Sequence, residues 1–223
     1  MIITSRDNER LKLVRKLHDR RWRDKLGLFF VEGEDAVGAA TADPVDLLRA
    51  GEDVDAKLLA EVSSAPHPPR VVGVYRRSDL AAWEERPAAL ALWRLADPGN
   101  VGTLIRTADA FGAGVALSDG CADPLGPKAL RASAGAIFRV PLGGWDALPA
   151  RRVALVAHGG ASLAQVDLAE PVALLLGAER EGLPDDFVAQ SHKVTIPLHP
   201  GAESLNVAAA GAIALYELTR RFA

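Results

Sequence analysis

From residue 88 onward, short apolar runs alternate with stretches of helical periodicity, and few folds accept that order. Residues 88–95, 113–118, 153–157, 172–176 and 194–197 are apolar enough for strands covered on both faces. Residues 100–111, 128–136 and 206–222 carry helical patterns between and after them. A parallel crossover needs a dozen or more residues, and a helix is the usual way to supply them. The expectation is therefore an α/β domain, a parallel sheet with helices on both faces.

The region before residue 88 reads as a smaller α/β unit. Thr4 or Ser5 can cap a helix running to about Leu26, with Leu11, Val14 and Leu17 as its apolar stripe. Strands are expected at 28–32, 45–48 and 70–76, and a further helix at 56–63. The polar, turn-like stretch 83–87 sets the boundary, giving domains 1–86 and 87–223. Charge is unevenly placed along the chain. Residues 1–25 hold nine Lys and Arg against four Asp and Glu, whereas the whole chain carries −3. A basic element on an acidic body is an electrostatic footprint for phosphates, and its plain alternative is a solvated helix face. Arg15, Arg20 and Arg21 are the candidate phosphate contacts there.

Several function classes drop out. A single cysteine, Cys121, excludes an internal disulfide framework and a cysteine-built zinc site. The five histidines form no metal-binding spacing, so no metal is expected. The apolar runs are far short of the ~20 residues of a membrane span. The basic N-terminus lacks an apolar signal core, and a cytoplasmic protein is expected. No phosphate-binding GxxxxGK[ST] occurs. Gly112-Ala113-Gly114 begins a dinucleotide fingerprint that fails at Leu117, which makes a nicotinamide-dependent oxidoreductase remote.

Four segments carry candidate chemistry. In 97–112, Pro98-Gly99 turns the chain after a buried strand, Asn100 can cap a helix, and Arg106 projects from its early turns. That places a cation at the carboxyl end of a strand, where α/β folds bind ligands; the plain alternative is a surface pair with Asp109. In 124–141, Lys128 and Arg131 are i,i+3 neighbours on a small-residue helix and suit phosphate contacts, unless they are simply exposed cations. In 174–184, Gly177 permits a ligand against bare backbone and Glu179 adds a carboxylate, though a plain turn reads equally well. In 196–207, Ser204 and Asn206 stand at a helix N-terminus, whose free N–H groups bind oxygen ligands; simple capping by Ser204 is the alternative.

Taken together and in this order, the segments resemble the SpoU (TrmH-like) RNA ribose 2′-O-methyltransferases of the SPOUT superfamily. The matching residues are Asp97-Pro98-Gly99-Asn100 with Arg106 and Phe111-Gly112, then Gly177-Ala178-Glu179 with Gly182-Leu183, then Ile196-Pro197 with Ser204-Leu205-Asn206. Residues 128–141 are similar to the family's intervening segment. Ala178 stands where many members carry Asn. Residues 3–33 resemble the substrate-binding domain of the branch acting on large-subunit ribosomal RNA.

The resemblance implies a deep trefoil knot in the C-terminal domain, a homodimer, and S-adenosylmethionine as cofactor. It implies Gly177, Ala178, Glu179, Ile196, Leu198, Ser204, Leu205 and Asn206 as cofactor-binding residues. It assigns catalysis to Asn100, Arg106, Glu179, Ser204 and Asn206; on chemical grounds Arg106 is expected to bind the phosphate and the 2′-oxygen, with Glu179 orienting it. The implied reaction is 2′-O-methylation of 23S ribosomal RNA. Transfer RNA as substrate, or RNA binding without catalysis, are the alternatives.

Overall fold

The computed structural model describes residues 2–65, 67–166 and 170–220. The N-terminal unit runs α1 (Glu9–Leu17), α2 (Arg20–Leu26), β1 (Leu28–Glu32), α3 (Glu34–Gly38), β2 (Asp46–Arg49), α4 (Ala56–Val62) and β3 (Val71–Arg76). Its three strands form an antiparallel sheet in the order β1-β3-β2. Leu11, Val14 and Leu17 of α1 pack with Phe30, Leu48, Leu59 and Val74 in one cluster.

The expected helix to Leu26 is two helices. Asp19 adopts an extended conformation and its carboxylate accepts from the Arg21 N–H, so a second N-cap breaks the first helix at His18. The first cap is Asn8 rather than Thr4 or Ser5, its side chain accepting from the Arg10 N–H. Short polar side chains that can bond their own backbone end helices as readily as they start them.

The C-terminal unit runs β4 (Ala88–Leu92), α5 (Pro98–Ala110), β5 (Gly114–Leu117), α6 (Pro127–Ser133), β6 (Leu142–Gly144), β7 (Arg152–Leu155), β8 (Ala161–Ser162), β9 (Val172–Leu176), α7 (Asp185–Ala189), β10 (His192–Thr195) and α8 (Val207–Thr219). All seven strands pair in parallel, in the order β6-β5-β4-β9-β7-β10-β8. The short edge strands β6 and β8 carry too few residues for a periodic signal and were not expected. The strand expected over 88–95 ends at Leu92, two residues before Arg94 turns the chain at a left-handed φ of 50°. Likewise α6 stops at Ser133, three residues early, where Ala134 (φ 47°) and Gly135 (φ 84°) turn the chain. The expected end of the last helix at Phe222 lies outside the described residues.

The sheet's two faces differ. Leu90, Leu92, Leu174 and Leu176 face α5 and α8, whereas Ala91, Ala116, Ala173 and Leu175 face Trp83, Trp145, Leu148 and Phe187 of α7. The period-2 alternation of strands sorts large from small residues in this way. Helix α5 meets α6 where a Cβ on Gly102 would fall on the Ala129 carbonyl oxygen. Helix α8 seats Gly211 against Leu104 and Leu176.

The two sheets share one core. Phe29 and Tyr75 of the small sheet pack against Phe138, tilted and edge-on, with ring centroids 5.8 and 4.8 Å apart. Polar ties reinforce the junction. Arg23, only 4% exposed, pairs with Asp123 at 2.7 Å and donates to the Leu17 and His18 carbonyls. Glu32 accepts from Ser63, Ser64 and Arg131. Among the described residues, no helix is long and apolar enough to cross a membrane.

Candidate active site

Parallel strands end on one side of their sheet, and there the loops after β7, β9 and β10 enclose a cleft of about 900 Å³. It is lined by Leu155 to Ala157, Leu176 to Leu183, Thr195, Ile196, Leu198 and Glu203 to Val207. Clefts of this size hold cofactors, and open α/β sheets bind ligands at this edge. Of the expected cofactor residues, Gly177, Ala178, Glu179, Ile196, Leu198, Ser204, Leu205 and Asn206 all line it.

Local backbone chemistry makes the cleft. Ala178 and Gly182 exchange two backbone hydrogen bonds, at 3.1 and 2.9 Å, which folds 177–183 into a tight loop. Gly182 sits at φ +70°, and a Cβ on Gly177 would run into the Gly182–Leu183 backbone. Gly177 therefore has no room for a side chain, and the conformation of Gly182 favours glycine. Glu179, Glu181, Asp185 and Glu203 line the cleft against one cation, Arg180. A pocket of this sign favours a cationic ligand.

The polar candidates form a chain at its mouth. Asn206 caps α8, its Oδ1 accepting from the Ala208 and Ala209 N–H groups. Its Nδ2 donates to Asn100 Oδ1 at 3.1 Å, and Asn100 Nδ2 donates to Glu179 Oε1 at 3.0 Å. Glu179 also accepts from the Ala96 and Asp97 backbone, each at 3.3 Å. Desolvation raises the Glu179 pKa, but the Asn100 bond and the backbone donors outweigh it and hold the carboxyl below its ordinary value. The group stays ionised at neutral pH.

Three expectations need correction here. Asn100 is not the cap of α5. Asp97 is, accepting from the Gly99 N–H at 2.6 Å and the Asn100 N–H at 3.1 Å, with Pro98 as first helical residue. The Asn100 side chain is thereby released to bridge Glu179 and Asn206. Capping of the last helix falls to Asn206, which leaves the Ser204 hydroxyl exposed and without a partner among the described residues. Nor does Glu179 orient Arg106. Exposed on α5, Arg106 bonds to nothing among the described residues, and Asp109 pairs instead with Arg139.

The RNA candidates divide. Lys128 reaches Asp97 at 2.9 Å, beside the site. That contact, first, and the backbone donors of Gly99 and Asn100 hold the Asp97 pKa low. Arg131 is occupied by Glu32 and Ser64 at the junction. Arg15 donates to the Arg6 carbonyl at 2.7 Å, while Arg20 and Arg21 lie 3.6 and 3.7 Å from Asp24 and Asp19. Sequence reasoning missed Asp97, although Asp followed by Pro at a helix start was a readable signal. It also missed Leu155 to Ala157 and Glu203, which the crossing of chain segments brings to the cleft. No group of three His, Cys, Asp or Glu able to hold a metal occurs among the described residues.

Residues 87–216 match the SpoU rRNA methylase family. The chain belongs to that family. It is 32% identical to an uncharacterized tRNA/rRNA methyltransferase of Synechocystis, over 98% of this chain and 93% of that one. It is 31% identical to the 23S rRNA (guanosine(2553)-2′-O)-methyltransferase of Bacillus subtilis, over 97% and 98% of the two chains. The AdoMet-bound rRNA methyltransferase of Sinorhizobium meliloti superposes with a TM-score of 0.87 at 29% identity, covering 100% of this chain and 98% of that one. The SpoU resemblance drawn from the motifs thus stands.

Proposed function

We propose that this chain methylates a ribose 2′-hydroxyl of large-subunit (23S) ribosomal RNA. It is an RNA methyltransferase, and S-adenosylmethionine is its methyl donor. The observation that carries the 2′-O reading is the Glu179–Asn100–Asn206 chain at the mouth of an acidic cleft, with the Ser204 hydroxyl beside it left free. When bound, the cofactor supplies a methyl group on a sulfonium, so the departing group is a neutral thioether. Backbone groups around Gly177, Ile196, Leu198 and Leu205 would hold its adenosine, and the carboxylates lining the cleft, Glu179 and Glu203 among them, would favour its positive charge.

The remaining work is done by this chain's own side chains. Ser204 and Asn206 orient the ribose so that its 2′-oxygen lies in line with the methyl carbon. Arg106 binds the neighbouring phosphate and the 2′-oxygen and stabilises the alkoxide as it develops. A guanidinium carries donors and no acceptor, so as the O–CH3 bond forms and the S–CH3 bond breaks the 2′-proton passes to water, not to Arg106. Glu179 acts on Asn100, fixing the amide that holds Asn206.

The basic segment 1–25 and the Bacillus relative's named substrate favour ribosomal RNA over transfer RNA. In this reading the trefoil knot is formed by the loops around the cleft. The active form is a homodimer, built on the outer face of α8, where Ile213 and Tyr216 are 44% and 56% exposed; its mass in solution is the measure.

The test is methyl transfer from labelled S-adenosylmethionine to unmodified large-subunit ribosomal RNA and, in parallel, to unmodified tRNA. Label at one position resistant to alkaline cleavage in ribosomal RNA is the expected result. Label in tRNA alone overturns the substrate, and no label in either, with both ligands bound, overturns catalysis.

A further inference from the structure

The cleft has no aromatic side chain among its lining residues. It therefore offers no ring on which a nucleobase can stack, yet RNA recognition draws much of its affinity and selectivity from such stacking. A ring suited to it stands on α2. Trp22 is half-buried, lies outside the hydrophobic clusters, and its indole N–H has no partner among the described residues. Three cations converge on it: Lys25 Nζ at 5.0 Å from the ring centroid, Lys16 Nζ at 5.2 Å and Arg21 Cζ at 5.7 Å. All the cation–ring contacts among the described residues are these three. Neither lysine forms an ion pair with a carboxylate there.

We infer that Trp22 with Lys16, Lys25 and Arg21 is a stacking platform for an unpaired nucleobase of the RNA substrate, the cations taking the flanking phosphates. This rests on the RNA reading above. Arg21 has Asp19 at 3.7 Å, but Lys16 and Lys25 on the same ring pair with no carboxylate among the described residues, and a phosphodiester strand supplies those anions while its bases supply a second π-face. Lysine stems are flexible enough for an ammonium to move from ring to phosphate when a base arrives.

The platform is also fixed with respect to the active site. The residue after Trp22 is Arg23, whose pair with Asp123 docks α2 on the loop that follows β5. The Asp123 carbonyl accepts from Gly126 N–H, the cap of α6, and Lys128 in the first turn of α6 reaches Asp97 at the start of α5. A strand held on Trp22 is thus positioned by rigid elements relative to Asn100.

The experiment measures binding of the full chain to a labelled 12-nucleotide unstructured RNA and to the same strand in a duplex. The variants are Trp22→Ala, Trp22→Phe and the pair Lys16→Gln with Lys25→Gln. Trp22→Ala should weaken single-strand binding roughly 5- to 150-fold and leave duplex binding within about twofold, with Trp22→Phe recovering most of the loss. The lysine pair should reduce the salt slope of single-strand binding by about 1.4. S-adenosylmethionine binding, unchanged in every variant, reports an intact fold. Tight single-strand binding by Trp22→Ala, or equal losses on single strand and duplex, overturns the platform and leaves the RNA reading standing. A wild-type chain that binds neither RNA overturns both.

Discussion

Arg106 and Glu179 occupy opposite electrostatic situations. The guanidinium of Arg106 is exposed and unbonded, so its removal should leave folding within about 0.5 kcal/mol, as at other surface positions. Removing a donor aimed at a developing oxyanion typically costs about 10²–10³ in turnover. Arg106→Ala should therefore lose methyl transfer by that order while cofactor affinity changes little; equal losses in both would refute the assignment. Arg106→Lys should not restore activity, because a point charge cannot reproduce the fork.

Glu179 is held by three donors, Asn100 Nδ2 and the Ala96 and Asp97 N–H groups, and its folded pKa lies below the ordinary 4.5. A depressed carboxylate contributes stability that is present above its unfolded pKa and lost as pH falls through the folded one. The melting difference between wild type and Glu179→Gln should be constant from pH 5 to 8 and close below about pH 4.5. A difference that persists at pH 3 would mean the ionised form is not what the loop uses.

Between elements, contact is decided by the absence of side chains. Helices α5 and α6 touch through Gly102, where a Cβ would strike the Ala129 carbonyl oxygen and Ala132 Cβ. Gly102→Ala should cost about 1–3 kcal/mol in urea unfolding, since the two backbones must part to admit a methyl group. Because α5 carries Asn100, cofactor-dependent activity should fall with it. An unfolding midpoint that does not move would mean the helices are free to separate.

The elements themselves were largely legible, because buried strands and helices leave period-2 and period-3.6 traces in the sequence. Their ends were not. Asp97 and Asn100 both satisfy the chemistry of a cap, as do Ser5 and Asn8, and only the packed start of each helix chose between them. Strands of two or three residues, such as Ala161–Ser162, exist only because a neighbouring edge receives them.

Across the whole molecule, the two sheets are locked by Arg23 and Asp123, one hundred residues apart and nearly buried. Breaking a buried pair strands a charge, and the cost is about 3–5 kcal/mol. Asp123→Ala should show that loss in urea unfolding, whereas replacing both partners by apolar residues should recover much of it. If both variants unfold alike, the Asp123 carboxylate is not what balances the Arg23 charge.

The sequence by itself determined the α/β class and singled out Gly177, Glu179, Ser204 and Asn206, because these rest on local pattern: burial period, glycine backbone, helix-start polar groups; Ala178, Ile196, Leu198 and Leu205 came from the family resemblance. Only the tertiary structure decided who bonds to whom. It gave Glu179 to Asn100 rather than Arg106, sent Asp109 to Arg139, used Arg131 to join the sheets, and left Lys16 and Lys25 over Trp22. A hydrogen bond needs atoms within about 3 Å, and residues 79 or 106 positions apart reach that distance only after the sheet has assembled.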